Sequence, residues 1–159
     1  MKGSPSSNPS RCRILVDADA CPVRAEIARA AEKFGLEVLY FANTAQLFDA
    51  GTSGRMVAVG DGRDSADFAM VTQCRKGDVT ITDDLGLASM LLSKGAVVLS
   101  SRGRQFSADQ MPILLVQRHA AQKARRAGKR TRGPARLTLA DRQRFIRTLA
   151  EILHQQESG

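Results

Sequence analysis

Six aspartates in three pairs set the chemistry open to this sequence: Asp17 and Asp19, Asp64 and Asp67, and Asp83 and Asp84. The pairs lie far apart along the chain, yet each follows a short apolar run at the point where a predicted strand hands over to a helix. Asp61 joins the second group. Carboxylates gathered in one place repel one another and raise each other's pKa unless a cation stands among them. Their hard oxygen donors select Mg²⁺ or Mn²⁺. Such an ion can hold a phosphodiester, activate a water and stabilise the departing oxygen, so no nucleophilic side chain is required. The competing reading is that these aspartates cap helices, whose N-termini favour negative charge. One carboxylate per helix would meet that need. Here each handover carries at least two, and Asp17 stands too far ahead of its helix to cap it.

Other reactive side chains contribute less. His119 and His154 lie in the helical C-terminal region, away in sequence from the acidic turns, and are expected at the surface. Cys21 sits near a helix start, which would lower its pKa, but the neighbouring carboxylates oppose that effect, so a packing role is expected. Cys12, Cys21 and Cys74 are odd in number and form no CxxC pair, as expected of reduced thiols.

The elements that must position the aspartates follow from apolar patterning. Ile14-Leu15-Val16 reads as a buried strand ending at Asp17. Pro22 suits the first turn of a helix running to Phe34, with Val23, Ile27, Ala30, Ala31 and Phe34 inward and Gly35 as its stop. Strands are expected at Val38 to Ala42, Met56 to Val59, Val79 to Thr82 and Ala96 to Leu99. Between them come a helix beginning near Asp64, with Phe68, Val71 and Met70 as its apolar face and Gly77 at its end, and another from Leu85 to Lys94. Strand and helix alternate with short connections, which predicts a mainly parallel sheet of about five strands covered by helices on both faces. In such a sheet the handovers line the carboxyl edge of the strands, where ligands bind beside a topological switch point. The aspartates are therefore expected to converge. From Asp109 the pattern is helical, with Met111, Ile113, Leu114, Leu115 and Val116 as its apolar part. A last helix, Leu139 to Leu153, has Phe145, Ile146, Leu149, Ile152 and Leu153 at helical spacing and a capping box from Thr138 and Asp141.

Composition places these elements in one domain of ordinary size, with 43% hydrophobic residues in 159. Residues 1–11 read as a disordered leader, 12–127 as the α/β domain, 128–153 as a basic loop and C-terminal helix packed on it, and 154–159 as a tail. No apolar run reaches the ~20 residues of a membrane span, and the first ten residues lack the apolar centre of a secretory signal, so a cytoplasmic protein is expected.

The net charge of +8 is uneven. Residues 1–80 carry ten cations and ten acids, whereas residues 81–159 carry fourteen cations and six acids. Eight cations and no acid lie from Arg118 to Arg136, a field that would attract a polyanion. Arg102, Arg104, Arg125, Arg126, Lys129, Arg130 and Arg132 are the candidate nucleic-acid contacts; contacts of this kind position a phosphate backbone without reading its sequence. One Tyr, six Phe and no Trp advertise no platform for base stacking.

The strings Val16-Asp17-Ala18-Asp19-Ala20-Cys21-Pro22, Phe41-Ala42-Asn43, Asp64-Ser65-Ala66-Asp67, Ile81-Thr82-Asp83-Asp84 and Ser101-Arg102-Gly103 resemble the signature of the bacterial YaiI/YqxD family. Thr131-Arg132-Gly133-Pro134 and Asp141-Arg142-Gln143 extend the resemblance over about residues 13–153. The resemblance implies a PIN-like three-layer α/β sandwich with a helical C-terminal extension, and a Mg²⁺- or Mn²⁺-dependent nuclease acting on RNA rather than DNA. Asp17 would then be the ligand ending the first strand, Asp64 or Asp67 the helix ligand and Asp84 the ligand after the fourth strand, with Asp19 and Asp83 auxiliary. The chain departs from the family's habit at Asp83, where a small residue is usual, and at Arg132, where Gly is usual. Asp17, Asp64, Asp67 and Asp84 are the expected catalytic set.

Two rivals stand beside this expectation. A non-catalytic RNA-binding module would use the basic C-terminal segment alone. A phosphatase of the haloacid dehalogenase type is echoed by Asp17-x-Asp19 and by Gly60-Asp61-Gly62-Arg63-Asp64, although Cys21 stands where such enzymes place Thr or Val.

Overall fold

A computed structural model describes residues 12–19, 21–43, 55–59, 65–128 and 136–158. Strands β1 (Ile14–Asp17), β2 (Val38–Asn43), β3 (Arg55–Val59), β4 (Val79–Ile81) and β5 (Val97–Leu99) are parallel, and a two-residue β6 (Gln105–Phe106) runs antiparallel beside β5. The sheet order is β3-β2-β1-β4-β5-β6. The chain thus winds outward from β1 through β2 to β3, then crosses to the other side of β1 and winds outward again. A right-handed crossover places its helix on one face when the winding runs one way and on the opposite face when it runs the other.

Helix α1 (Arg24–Phe34), between β1 and β2, accordingly covers one face, and α2 (Ser65–Gln73) and α3 (Leu85–Ser93), on either side of β4, cover the opposite one. Alternate strand residues feed the two cores. Ile14, Val16, Val38, Tyr40 and Ile81 pack with Ile27 and Phe34 of α1, while Leu15, Leu39, Phe41 and Val98 pack with Met70 of α2 and Leu87 and Leu91 of α3. Both faces of the sheet are therefore buried, as expected of parallel strands. Helix α4 (Met111–Arg126) packs on α3, and α5 (Leu139–Ser158) packs on α1. Phe145, Leu149, Ile152 and Leu153 of α5 are buried in the α1 core, each contributing ~1.5–3 kcal/mol of hydrophobic burial. The result is the expected α/β sandwich with its C-terminal helix, and no described helix is long and apolar enough to cross a membrane.

The expected boundaries hold to within a few residues, but some faces differ. Phe68 is 75% exposed. Ala66, Met70 and Cys74 form the inward stripe of α2 and its continuation at four-residue intervals, and Phe68, two residues off that stripe, points outward. α2 also stops at Gln73, short of Gly77. On α4, Met111, Leu114 and Leu115 face the core, which turns Ile113 and Val116 to solvent. Ile146 is likewise exposed on α5. The capping box forms: the Thr138 amide donates to Asp141 Oδ2 at 2.9 Å, and the Asp141 amide donates to Thr138 Oγ1 at 3.0 Å. α5 runs on past Leu153 to Ser158.

Candidate metal centre

The reversal of winding lies between β1 and β4, which pair side by side. Just beyond their carboxyl ends is a cleft of about 180 Å³ lined by Asp17, Cys21, Ile81, Thr82, Asp83, Asp84 and Ser101. This is the place where open α/β sheets hold their ligands, because the loops on either side diverge from it. At the opposite end of the same strand pair, Arg13 Nη2 meets Asp78 Oδ2 at 2.7 Å, with both side chains largely buried. That acid is neutralised within the fold.

Asp17 ends β1, and its Oδ2 accepts a hydrogen bond from Thr82 Oγ1 at 2.9 Å. Burial pushes its carboxyl up to about 6, the Thr82 bond opposes that rise, and the charges of Asp67, Asp19 and Asp84 reinforce it. Three of the expected acids, from three separate handovers, thus act electrostatically on Asp17. Asp17 caps nothing, since the N-cap position of α1 belongs to Val23.

The two acids after β4 are partly committed. Asp84 is the N-cap of α3, its Oδ1 accepting from the amides of Gly86 and Leu87 at 2.9 and 3.2 Å. Among the described members of the six, the helix-capping reading therefore holds for Asp84. Asp83 turns toward the loop after β5, where it accepts from the Ser101 amide at 2.9 Å and from Ser101 Oγ at 2.6 Å. Asp64 lies outside the described residues. Among those described, no three His, Cys, Asp or Glu side chains group around one point.

This donor set fits a particular kind of cation. A closed structural site of the zinc type needs four preformed ligands. Mg²⁺ instead binds through one or two carboxylates and keeps water and substrate phosphate as its remaining ligands. Asp17, with Asp67, Asp19 and Asp84 acting on it, supplies hard oxygen donors of the kind such an ion takes. Burial pushes the Cys21 thiol up to about 11, with Asp83 and Asp17 adding to the effect. It is a neutral lining group rather than a nucleophile.

The expected nucleic-acid contacts divide. Arg102 Nη1 lies 2.7 Å from Asp141 Oδ2, tying the loop after β5 to the start of α5. Arg104 is exposed, with its guanidinium 5.7 Å from the Phe106 ring centre. Arg125 and Arg126 are exposed in the last turn of α4. Lys129, Arg130 and Arg132 lie outside the described residues. Residues not singled out in the sequence also reach the cleft. Thr82 and Ser101 seat the acids, Arg24 Nη2 donates to the Ala18 carbonyl beside Asp17, and Arg118 of α4 places Nη1 3.6 Å from Asp84 Oδ1. For Arg118 a signal exists, because Met111, Leu114, Leu115 and Arg118 form one helical stripe and a cation on an inward stripe needs a partner.

Fold and cleft together define a doubly wound α/β protein with an acidic crevice at its switch point. Residues 15–155 match the model of a family described as "Uncharacterized BCR, YaiI/YqxD family", and the chain belongs to that family. It is 39% identical over 147 residues to the UPF0178 protein of Shouchella clausii, covering 92% of this chain and 96% of the relative. To the UPF0178 protein of Halalkalibacterium halodurans it is 42% identical over 140 residues, covering 88% and 89%. To that of Listeria welshimeri it is 42% identical over 134 residues, covering 84% and 89%. No solved structure matches the chain.

Proposed function

We propose that this chain is a divalent-metal-dependent ribonuclease of the PIN-like kind, hydrolysing phosphodiester bonds with Mg²⁺ or Mn²⁺. The observation that carries this reading is Asp17: a largely buried carboxylate at the switch point, pushed up to about 6 by burial and by three neighbouring acids against the opposing bond from Thr82. A carboxylate crowded by like charge in that position favours a cation.

Asp17 and Asp67, with Asp84 and Asp64, would hold the ion, and Asp19 and Asp83 would add charge around it. When bound, the ion supplies charge neutralisation at the phosphate oxygens and a lower pKa for a coordinated water. The protein's own groups divide the rest of the work. Thr82 fixes the carboxylate of Asp17, the group that would face the ion. In hydrolysis the water oxygen would bond to phosphorus as its proton passes to solvent, the P–O bond to the leaving sugar would break, and that oxygen would take a proton from solvent. Arg104, Arg125 and Arg126 give the phosphate backbone its register.

The partial commitment of Asp83 and Asp84 favours a second reading, a non-catalytic RNA-binding module. One assay separates the two. Purified protein is incubated with labelled single-stranded RNA in EDTA, Mg²⁺ and Mn²⁺, beside Asp17→Ala. The nuclease reading expects cleavage that needs metal and disappears in Asp17→Ala. Salt-sensitive RNA binding in both proteins with no strand scission would leave the binding module. A phosphoaspartate trapped at Asp17 would instead point to the phosphatase.

A further inference from the structure

We propose that Arg118 is both the internal counter-cation of the cleft and its substrate arm. In the free protein it neutralises Asp84; when a phosphate strand and a divalent ion arrive together, it passes from the carboxylate to a phosphate and leaves Asp84 to the ion. The proposal rests on the nuclease reading and assigns a residue to it.

Three observations carry it. The contact is loose: Nη1 stands 3.6 Å from Asp84 Oδ1, beyond hydrogen-bond length, with side chains 39% and 40% exposed. Exposed pairs of this kind are weak and easily exchanged. Arg102, by contrast, meets a well-buried carboxylate at 2.7 Å and is committed to the fold. Second, the approach is built. Arg118 lies over the first turn of α3 above Gly86, where an added Cβ would meet Arg118 Nη1 at 3.1 Å and Asp84 Oδ1 at 3.3 Å. Glycine is a poor helix former, so its presence in this turn fits the need for room. Third, the stripe continues. Arg125, seven residues on, repeats the angular position of Arg118 two turns (~10.5 Å) farther along α4. The exposed Arg125 and the cleft-side Arg118 thus form a cationic line from the basic end of α4 to the acids. A guanidinium suits this transfer because its planar fork binds carboxylate and phosphate oxygens alike.

A Mn²⁺ ion and the guanidinium would compete for one carboxylate, so removing the guanidinium should strengthen metal binding and weaken RNA binding. The test titrates Mn²⁺ by electron paramagnetic resonance of the free ion, without nucleic acid. It also titrates a fluorescent single-stranded RNA in EDTA, for wild type, Arg118→Met, Arg118→Lys and Gly86→Ala. Arg118→Met should bind Mn²⁺ about two- to fivefold more tightly, the range set by an exposed ion pair, and RNA several-fold more weakly. Arg118→Lys, which keeps the charge, should restore most of the wild-type Mn²⁺ affinity. Gly86→Ala removes no charge and asks the guanidinium to give by only a few tenths of an ångström, so it should bind Mn²⁺ much as wild type does. Unchanged or weaker Mn²⁺ binding in Arg118→Met, beside a wild type that binds and cleaves, overturns the role of Arg118 and leaves the nuclease reading standing. A wild type that binds no Mn²⁺ overturns both.

Discussion

Thr82 joins the two sides of the crevice: its hydroxyl donates to Asp17 Oδ2 at 2.9 Å while accepting the amide of Asp84 at 3.0 Å. The end of β1 and the start of α3 are thus held in register through a single oxygen. Thr82→Val keeps the shape and removes both bonds. It should lower stability by about 1–3 kcal/mol, read by urea denaturation. It should also move the acidic limb of any cleavage profile to higher pH, because the Thr82 bond is the one influence holding the Asp17 carboxyl down. An unmoved profile would count against Asp17 as the titrating group.

The raised carboxyl of Asp17 has a definite sign in stability. Near pH 4 the group is largely protonated in the folded chain. Between pH 3.8 and about 6 the unfolded chain ionises while the folded one keeps its proton, so stability falls across that window and stays lower above it. The gap from 3.8 to about 6 corresponds to roughly 3 kcal/mol. Asp17→Asn should therefore melt higher than wild type at pH 7.5 and nearly equal to it at pH 4. A divalent ion should narrow the difference at pH 7.5. Equal melting curves at both pH values would show that the carboxylate is already compensated.

Asp84→Asn separates helix capping from charge. Asparagine caps a helix about as well as aspartate, so the melting temperature should stay within a few degrees. Mn²⁺-dependent RNA cleavage should fall at least tenfold, since an amide cannot neutralise a cation. Cleavage that survives at the wild-type rate would remove Asp84 from the catalytic set.

Gly103 turns the chain between β5 and β6 at φ +83°, and a Cβ there would lie 2.8 Å from the backbone of both Arg144 and Phe145. Gly103→Ala should cost about 2–4 kcal/mol through strain and a contact that neither backbone can relieve. Ser101 sits two residues earlier, so the seat of Asp83 should loosen as well. Differential scanning calorimetry measures the first effect, and hydrogen exchange at the Ser101 amide the second. An unaltered calorimetric transition would show that the turn can open away from α5.

The sheet was legible because its strands are short apolar runs bounded by glycines and acids, and because parallel strands advertise themselves by being buried on both faces. The place of Asp17, Asp83 and Asp84 at the carboxyl edge followed from that alternation, and Thr138 with Asp141 marked the start of α5. The two-residue β6 is too short for any period to show. Phe68 misled because hydrophobicity does not reveal helical phase; the smaller Ala66, Met70 and Cys74 determine which way α2 faces. The hydroxyls of Thr82 and Ser101 leave no trace in spacing, since their roles exist only once distant strands lie side by side. Arg118 could have been found from the stripe it continues.

The last helix bears on the order in which the molecule can be assembled. Arg142 reaches back to the Pro22 carbonyl and to Glu26 across more than a hundred residues, and Phe145 and Leu149 close the layer over Ile27 and Phe34. During synthesis, then, a growing polypeptide would carry Asp17, Asp83 and Asp84 out of the ribosome well before it could cover α1 or brace the turn at Ser101. A chain cut short ahead of Thr138 would display that bare apolar layer, a ready target for chaperones and proteases.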